Sequence, residues 1–73
     1  MSAIEHKTFI ITPRRNEAGR WIARIGKIDG SKLRSTLPNS TGSRPWLDTE
    51  PPTYSAEAAI QLAKDANNGG NIQ

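Results

Sequence analysis

Cysteine is absent from the sequence, and histidine occurs once, at His6. Without thiols no disulfide can staple a small fold, and one imidazole cannot supply the Cys/His ligand set of a structural zinc site. Aromatic residues are sparse as well: Phe9, Trp21, Trp46 and Tyr54 are the only ones. No apolar run approaches the roughly 20 residues that a membrane-spanning helix needs, and the first eight residues lack the apolar stretch of a signal peptide. The expectation is a soluble, cytoplasmic protein with no metal, cofactor or membrane partner. A nucleophile, a base and an orienting group cannot be assembled from one histidine near a chain end, and no closely spaced acid pair falls on an ordered element, so no enzyme is expected. Gly42-Ser43-Arg44 has neither a strand before it nor a helix directly after it, which argues against a phosphate loop. Ser40, Thr41 and Ser43 read as solvated loop groups.

What the sequence does hold is basic charge, unevenly spread. The net charge is +3 and the pI about 9.8. Residues 1–44 carry nine basic side chains against three acidic ones, whereas residues 45–73 carry one against four. Such asymmetry suits affinity for a polyanion, or head-to-tail association, and does not bear on fold. A chain of 73 residues forms one domain with a thin core, and oligomerisation is a further route to stability when disulfides are missing.

Residues 7–12, rich in β-branched and aromatic side chains, predict a first strand that stops at Pro13, with residues 1–5 as a loose, flexible lead-in. Residues 13–19 form a polar connection that ends in Gly19, able to take positive φ. Two further strands, residues 20–28 and 32–37, flank Asp29-Gly30, a strong hairpin signal. A strict two-residue turn would mix polar and apolar side chains on both faces. A three-residue loop with Gly30 in the left-handed position separates them, with Trp21, Ala23, Ile25, Leu33, Ser35 and Leu37 on one face and Ile22, Arg24, Gly26, Lys32, Arg34 and Thr36 on the other. The segregation favours the longer loop.

Residues 38–45 have the composition of a mobile surface loop. Trp46-Leu47 is an apolar island, either a short fourth strand or a plug over the core, and residues 48–52 run extended into a helix. Ser55 is a good N-cap, Glu57 suits the first turn, and Gly69-Gly70 supplies the stop. At 100° per residue Ala56, Ala59, Ile60, Leu62, Ala63 and Ala66 share one side, with Tyr54 and Trp46 closing the edges of the contact with the sheet. Residues 68–73 are expected to be flexible. The fold class is α+β: a three-stranded antiparallel sheet, four-stranded if Trp46-Leu47 joins it, with one C-terminal helix packed on one face and the other face open.

That open face is the main functional candidate. Arg24, Lys32 and Arg34 would stand on it with Ile22 among them, and Arg14, Arg15 and Arg20 would line its rim. Lysine and arginine neutralising phosphates are the sequence-independent source of most nucleic-acid affinity, and a basic sheet can also enter a groove and read base edges. The plainer alternative is a solvated face whose charges keep a small sheet soluble. Trp21 reads as core and Trp46 as a core lid, or, if exposed, as a partner anchor.

The run Gly19-Arg20-Trp21-Ile22-Ala23-Arg24-Ile25, the Asp29-Gly30 turn, Lys32-Leu33-Arg34 and Tyr54-Ser55-Ala56-Glu57-Ala58-Ala59 together resemble the layout of AP2-type and phage-integrase arm-type DNA-binding domains, over about half of the chain. The β-β-β-α order is also similar to several small bacterial domains of unknown function. The first resemblance implies a sheet that contacts DNA through Arg24, Lys32 and Arg34. Nucleic acid is therefore the leading expected partner. The alternative is a protein–protein module or homodimer that covers the open face or pairs an edge strand.

Overall fold

A computed structural model describes residues 3–37 and 41–73. Its elements are β1 (Ile4–His6), β2 (Phe9–Arg15), β3 (Trp21–Lys27), β4 (Leu33–Ser35), β5 (Gly42–Arg44), β6 (Leu47–Asp48) and α1 (Ala56–Asn68). The α+β class holds. Four strands form one antiparallel sheet in the order β1-β2-β3-β6, β4 and β5 form a second sheet, and α1 packs against β2 and β3 of the first. Among the described residues no helix is long and apolar enough to cross a membrane.

The core is the face of β2 and β3 that alternation makes apolar. Phe9 and Ile11 on β2 lie with Ala23 and Ile25 on β3, Leu47 on β6 and Ala59 and Ala63 on α1. The alanines let the helix axis approach the sheet closely. Ser55 caps the helix as expected: its backbone is extended, and its hydroxyl accepts a hydrogen bond from the Ala58 amide at 3.1 Å.

Three expectations about the ends of elements are revised. Ile4 and Glu5, read as part of a loose lead-in, form β1 together with His6 and pair with Phe9 to Ile11. β2 does not stop at Pro13 but runs on to Arg15. The hydrogen bonds Ile28 N–H to Thr8 O and Asn16 N–H to Arg20 O show that even-numbered residues of β2 point their amides at β3. Pro13 therefore lacks a donor only on the side away from β3, so the ladder between β2 and β3 loses no bond. At the other terminus, where no pairing is expected, residues 71–73 lie along β4. Arg34 N–H donates to Gln73 O at 2.7 Å, Gln73 N–H returns the bond to Arg34 O at 2.8 Å, and Ile72 is fully buried beside β4.

The largest revision concerns the hairpin. The turn itself forms: Gly30 has φ +80°, its N–H donates to Lys27 O at 3.0 Å, and the Asp29 carboxylate accepts from both the amide and the hydroxyl of Ser31. The strand after it does not return along β3. β4 crosses away to pair with β5, and the vacated edge of β3 is taken by β6, with Arg24 opposite Asp48 and Ile25 opposite Leu47. The physical reason lies in the register. The three-residue loop would have set Arg34 directly across from Arg24, and like charges in that position are destabilising, whereas β6 offers a carboxylate there. The burial pattern survives the change of partner, since Leu33 and Ser35 are buried and Arg34 is exposed. β5 replaces part of the loop expected over residues 38–45. Pro38, Asn39 and Ser40 of that loop lie outside the described residues, as do Met1 and Ser2 of the lead-in.

Candidate nucleic-acid interface

Alternation along β3 puts Trp21, Ala23 and Ile25 toward the helix and Ile22 and Arg24 on the opposite face, with Arg20 continuing that row past the strand end. On β2 the register adds Ile10 opposite Gly26, Thr12 opposite Arg24 and Arg14 opposite Ile22. Among the described residues no helix covers this second face. The segment after β6 follows the free edge of β3 and is pinned at both ends. Thr49 N–H donates to Ala23 O, the buried Thr49 hydroxyl accepts from Ala23 N–H, and Thr53 exchanges two backbone hydrogen bonds with Trp21 at 2.7 and 2.8 Å. Between these pins Pro51 and Pro52, with Asp48, Thr49, Glu50 and Ile22, line an open groove of about 620 Å³.

The six basic candidates do not form one surface. Lys32 and Arg34 leave with the second sheet, where Arg44 on β5 stands opposite Leu33. This corrects the expectation that Arg24, Lys32 and Arg34 share a face. Arg24 stays on the open face but is engaged: its Nε and Nη2 donate to the two carboxylate oxygens of Asp48 at 3.0 and 3.3 Å, and its guanidinium lies 3.8 Å from the centre of the Trp46 ring. Hydrogen bonding to Asp48 raises the Arg24 pKa above its ordinary value, outweighing the opposing effect of partial burial. Arg24 with Asp48 and Trp46 thus makes a closed, neutral unit.

Arg14, Arg15 and Arg20 remain together at the end of the sheet where β2 turns into β3. The turn is built by Asn16, whose side-chain oxygen accepts from Ala18 N–H and Arg20 N–H at 3.0 Å each, and by Gly19 at φ +77°. Arg15 sits opposite Trp21 in the ladder and lies 5.3 Å from its ring centre. Arg20 falls opposite Tyr54 when the Trp21 to Thr53 bridge is extended by one residue, and its guanidinium lies 4.5 Å from the Tyr54 ring centre. All three arginines are exposed, and none makes an ion pair among the described residues.

The aromatic residues also part from expectation. Trp21 packs partly against the core, as read. Trp46 and Tyr54, expected to close the helix edges, are 46% and 83% exposed, which leaves Trp46 in its alternative reading as an accessible ring. Tyr54 was not anticipated as a functional residue. It occupies the position before the N-cap, where an apolar side chain ordinarily packs on the fourth helical residue, but that residue is Ala59, small and already buried against the sheet. The pairing of Thr53 with Trp21, which brings Tyr54 beside Arg20, has no local sequence signal.

Among the described residues no three of His, Cys, Asp and Glu converge on a position that could hold a metal ion. Comparison of the chain with models of protein families, with curated proteins and with solved structures found no match.

Proposed function

We propose that the protein is a non-enzymatic binding module for nucleic acid, and that the open face of the four-stranded sheet and its arginine-bearing end form the contact surface. The observation that carries this reading is Arg14 and Arg20 on the open face, with Arg15 at the same end of the sheet on Trp21's side: three exposed guanidiniums that make no ion pair among the described residues, two of them beside aromatic rings. Unpaired cations release counterions when they meet phosphates, and an aromatic ring beside them adds a surface that a sugar-phosphate backbone or a base can use. Arg24, held by Asp48, contributes shape rather than free charge. Lys32, Arg34 and Arg44 add long-range attraction from a different surface.

The test is fluorescence anisotropy with labelled oligonucleotides over a series of salt concentrations. Binding should weaken steeply with salt. Replacing Arg14 and Arg20 together by alanine should lower the affinity and flatten the slope of log K against log salt by about 1.5, two contacts at roughly 0.7–0.9 each. Absence of binding at low salt, or an unchanged slope in the double variant, would overturn the reading.

A further inference from the structure

We infer that the ligand of the open face is single-stranded nucleic acid, with Tyr54 as the ring on which an unpaired base stacks; this rests on the nucleic-acid reading above. A duplex hides the flat faces of its bases, so an exposed aromatic platform is of use only to unpaired ones. Charge points the same way. A sheet that enters the major groove needs its face lined with free cations, but here Lys32 and Arg34 have left that face and Arg24 is bound to Asp48.

Tyr54 is poised for such a role. Its ring is 83% exposed while its backbone is fixed on both sides, by the paired bonds of Thr53 to Trp21 and by Ser55 capping α1. The ring is therefore presented on a rigid support, which limits the ordering cost of binding. Arg20 lies over one face of the ring, 4.5 Å from its centre, so the guanidinium backs the platform and can reach a phosphate on either side of a stacked base.

The groove continues the path. Arg20, Ile22 and Arg24 follow one another at alternate positions of one strand, so the rings of Tyr54 and Trp46, each beside an arginine, bracket the Ile22 floor. Two strand repeats separate Arg20 from Arg24, about 13 Å. Pro51 and Pro52 form an apolar wall, and the Asp48 carboxylate at the rim is held by Arg24. The groove wall is apolar and the unpaired cations lie at Arg14 and Arg20, so the bases face the groove and the backbone runs along those two arginines. The groove volume falls within the roughly 300–1,000 Å³ of ordinary ligand sites, which is room for a base.

The test compares a labelled single strand of about 12 nucleotides, within the usual site range of such proteins, with the duplex of the same sequence. The single strand should bind at least about tenfold more tightly. Tyr54→Ala should weaken single-strand binding about tenfold, the scale of one lost base stack, and leave duplex binding unchanged. Tyr54→Phe, which keeps the ring, should bind like the parent within about twofold. Because the side chain is almost wholly exposed, neither variant should disturb folding, which circular dichroism checks. Equal affinity for the duplex, or no effect of Tyr54→Ala on the single strand, overturns this inference while leaving nucleic-acid binding intact. Failure of both strand forms to bind overturns both.

Discussion

The two faces of the four-stranded sheet share the same strands and the same alternation, yet their side chains answer to different demands. On the helix side Phe9, Ile11, Ala23, Ile25 and Leu47 are all within 4% of complete burial. On the open side Ile10, Trp46 and the adjoining Tyr54 remain substantially exposed, and the arginines stand between them. The first face determines whether the chain folds, because a core this small has few groups to lose. On the second, Ile22 is buried, but the exposed side chains around it contribute little to stability and are free to serve recognition. The difference also separates two uses of one residue type: Arg24, with a carboxylate in register, is structural, whereas Arg20, with only a ring beside it, is available.

The sharpest way to break the comparison is at Ile72, which is fully buried beside β4 although it lies next to the chain end. Removing most of a buried aliphatic side chain costs about 2–5 kcal/mol, the lost transfer energy plus the cavity left behind. A domain of this length has roughly 4–11 kcal/mol in total. Ile72→Ala should therefore lower the urea midpoint more than a change at any exposed residue of the open face. Oligonucleotide affinity per folded molecule should stay the same. A stability loss comparable to that of Tyr54→Ala would mean that residues 71–73 are not held as described.

Much of the closed face was legible because it rests on local rules. The cap at Ser55, the stop at Gly69-Gly70 and the alternation of Phe9, Ile11, Ala23 and Ile25 each carry their own signal, and each forms as expected. Strand partners are a different matter. Period-two alternation states which side of a strand is apolar but not which neighbour it pairs with, so Leu33 and Ser35 are buried as expected against a different partner. One cue was present, the Arg24 to Arg34 opposition that the hairpin register entails. β1 and β5, three residues each, are too short and polar to show alternation, and Ile72 is a single apolar residue among Asn, Gly and Gln. The candidate site was legible for Arg14, Arg15 and Arg20, which stay at the sheet end. Tyr54 was hidden because its surroundings depend on a long-range pairing of Thr53.

A smaller change sharpens the contrast between Arg24 and Arg20. Asp48→Asn keeps an oxygen near Arg24 but removes the charge. The pair is about a third exposed, so the loss in stability should be no more than about 1 kcal/mol. The effect on binding has the opposite sign. Freed from its carboxylate, Arg24 becomes a phosphate contact and should steepen the salt slope for single strands by about 0.7. An unchanged slope would indicate that stacking on Trp46 alone keeps the guanidinium from the ligand.

The smallest expected effect lies where the chain leaves the sheet after β3. Because β4 does not return along β3, the turn over residues 28–31 is held by its own hydrogen bonds, chiefly those of the Asp29 carboxylate to the hydroxyl and amide of Ser31. These bonds favour the charged form and hold the Asp29 pKa below its ordinary value of 3.8, with the Ser31 hydroxyl the largest cause and nearby Lys27 a lesser one. The folded value is the lower of the two, so the contribution to stability is complete above the unfolded value. It is lost as pH falls through the folded one. Acid titration monitored at the Ser31 amide by NMR should thus show the turn loosening only below about pH 4. Asp29→Ala should remove that step and leave the rest of the acid transition in place. If the Ser31 resonance is indifferent to pH in the parent protein, the carboxylate does not hold the turn. The departure of β4 would then follow from the unfavourable opposition of Arg24 and Arg34 and the better partner in β6 alone.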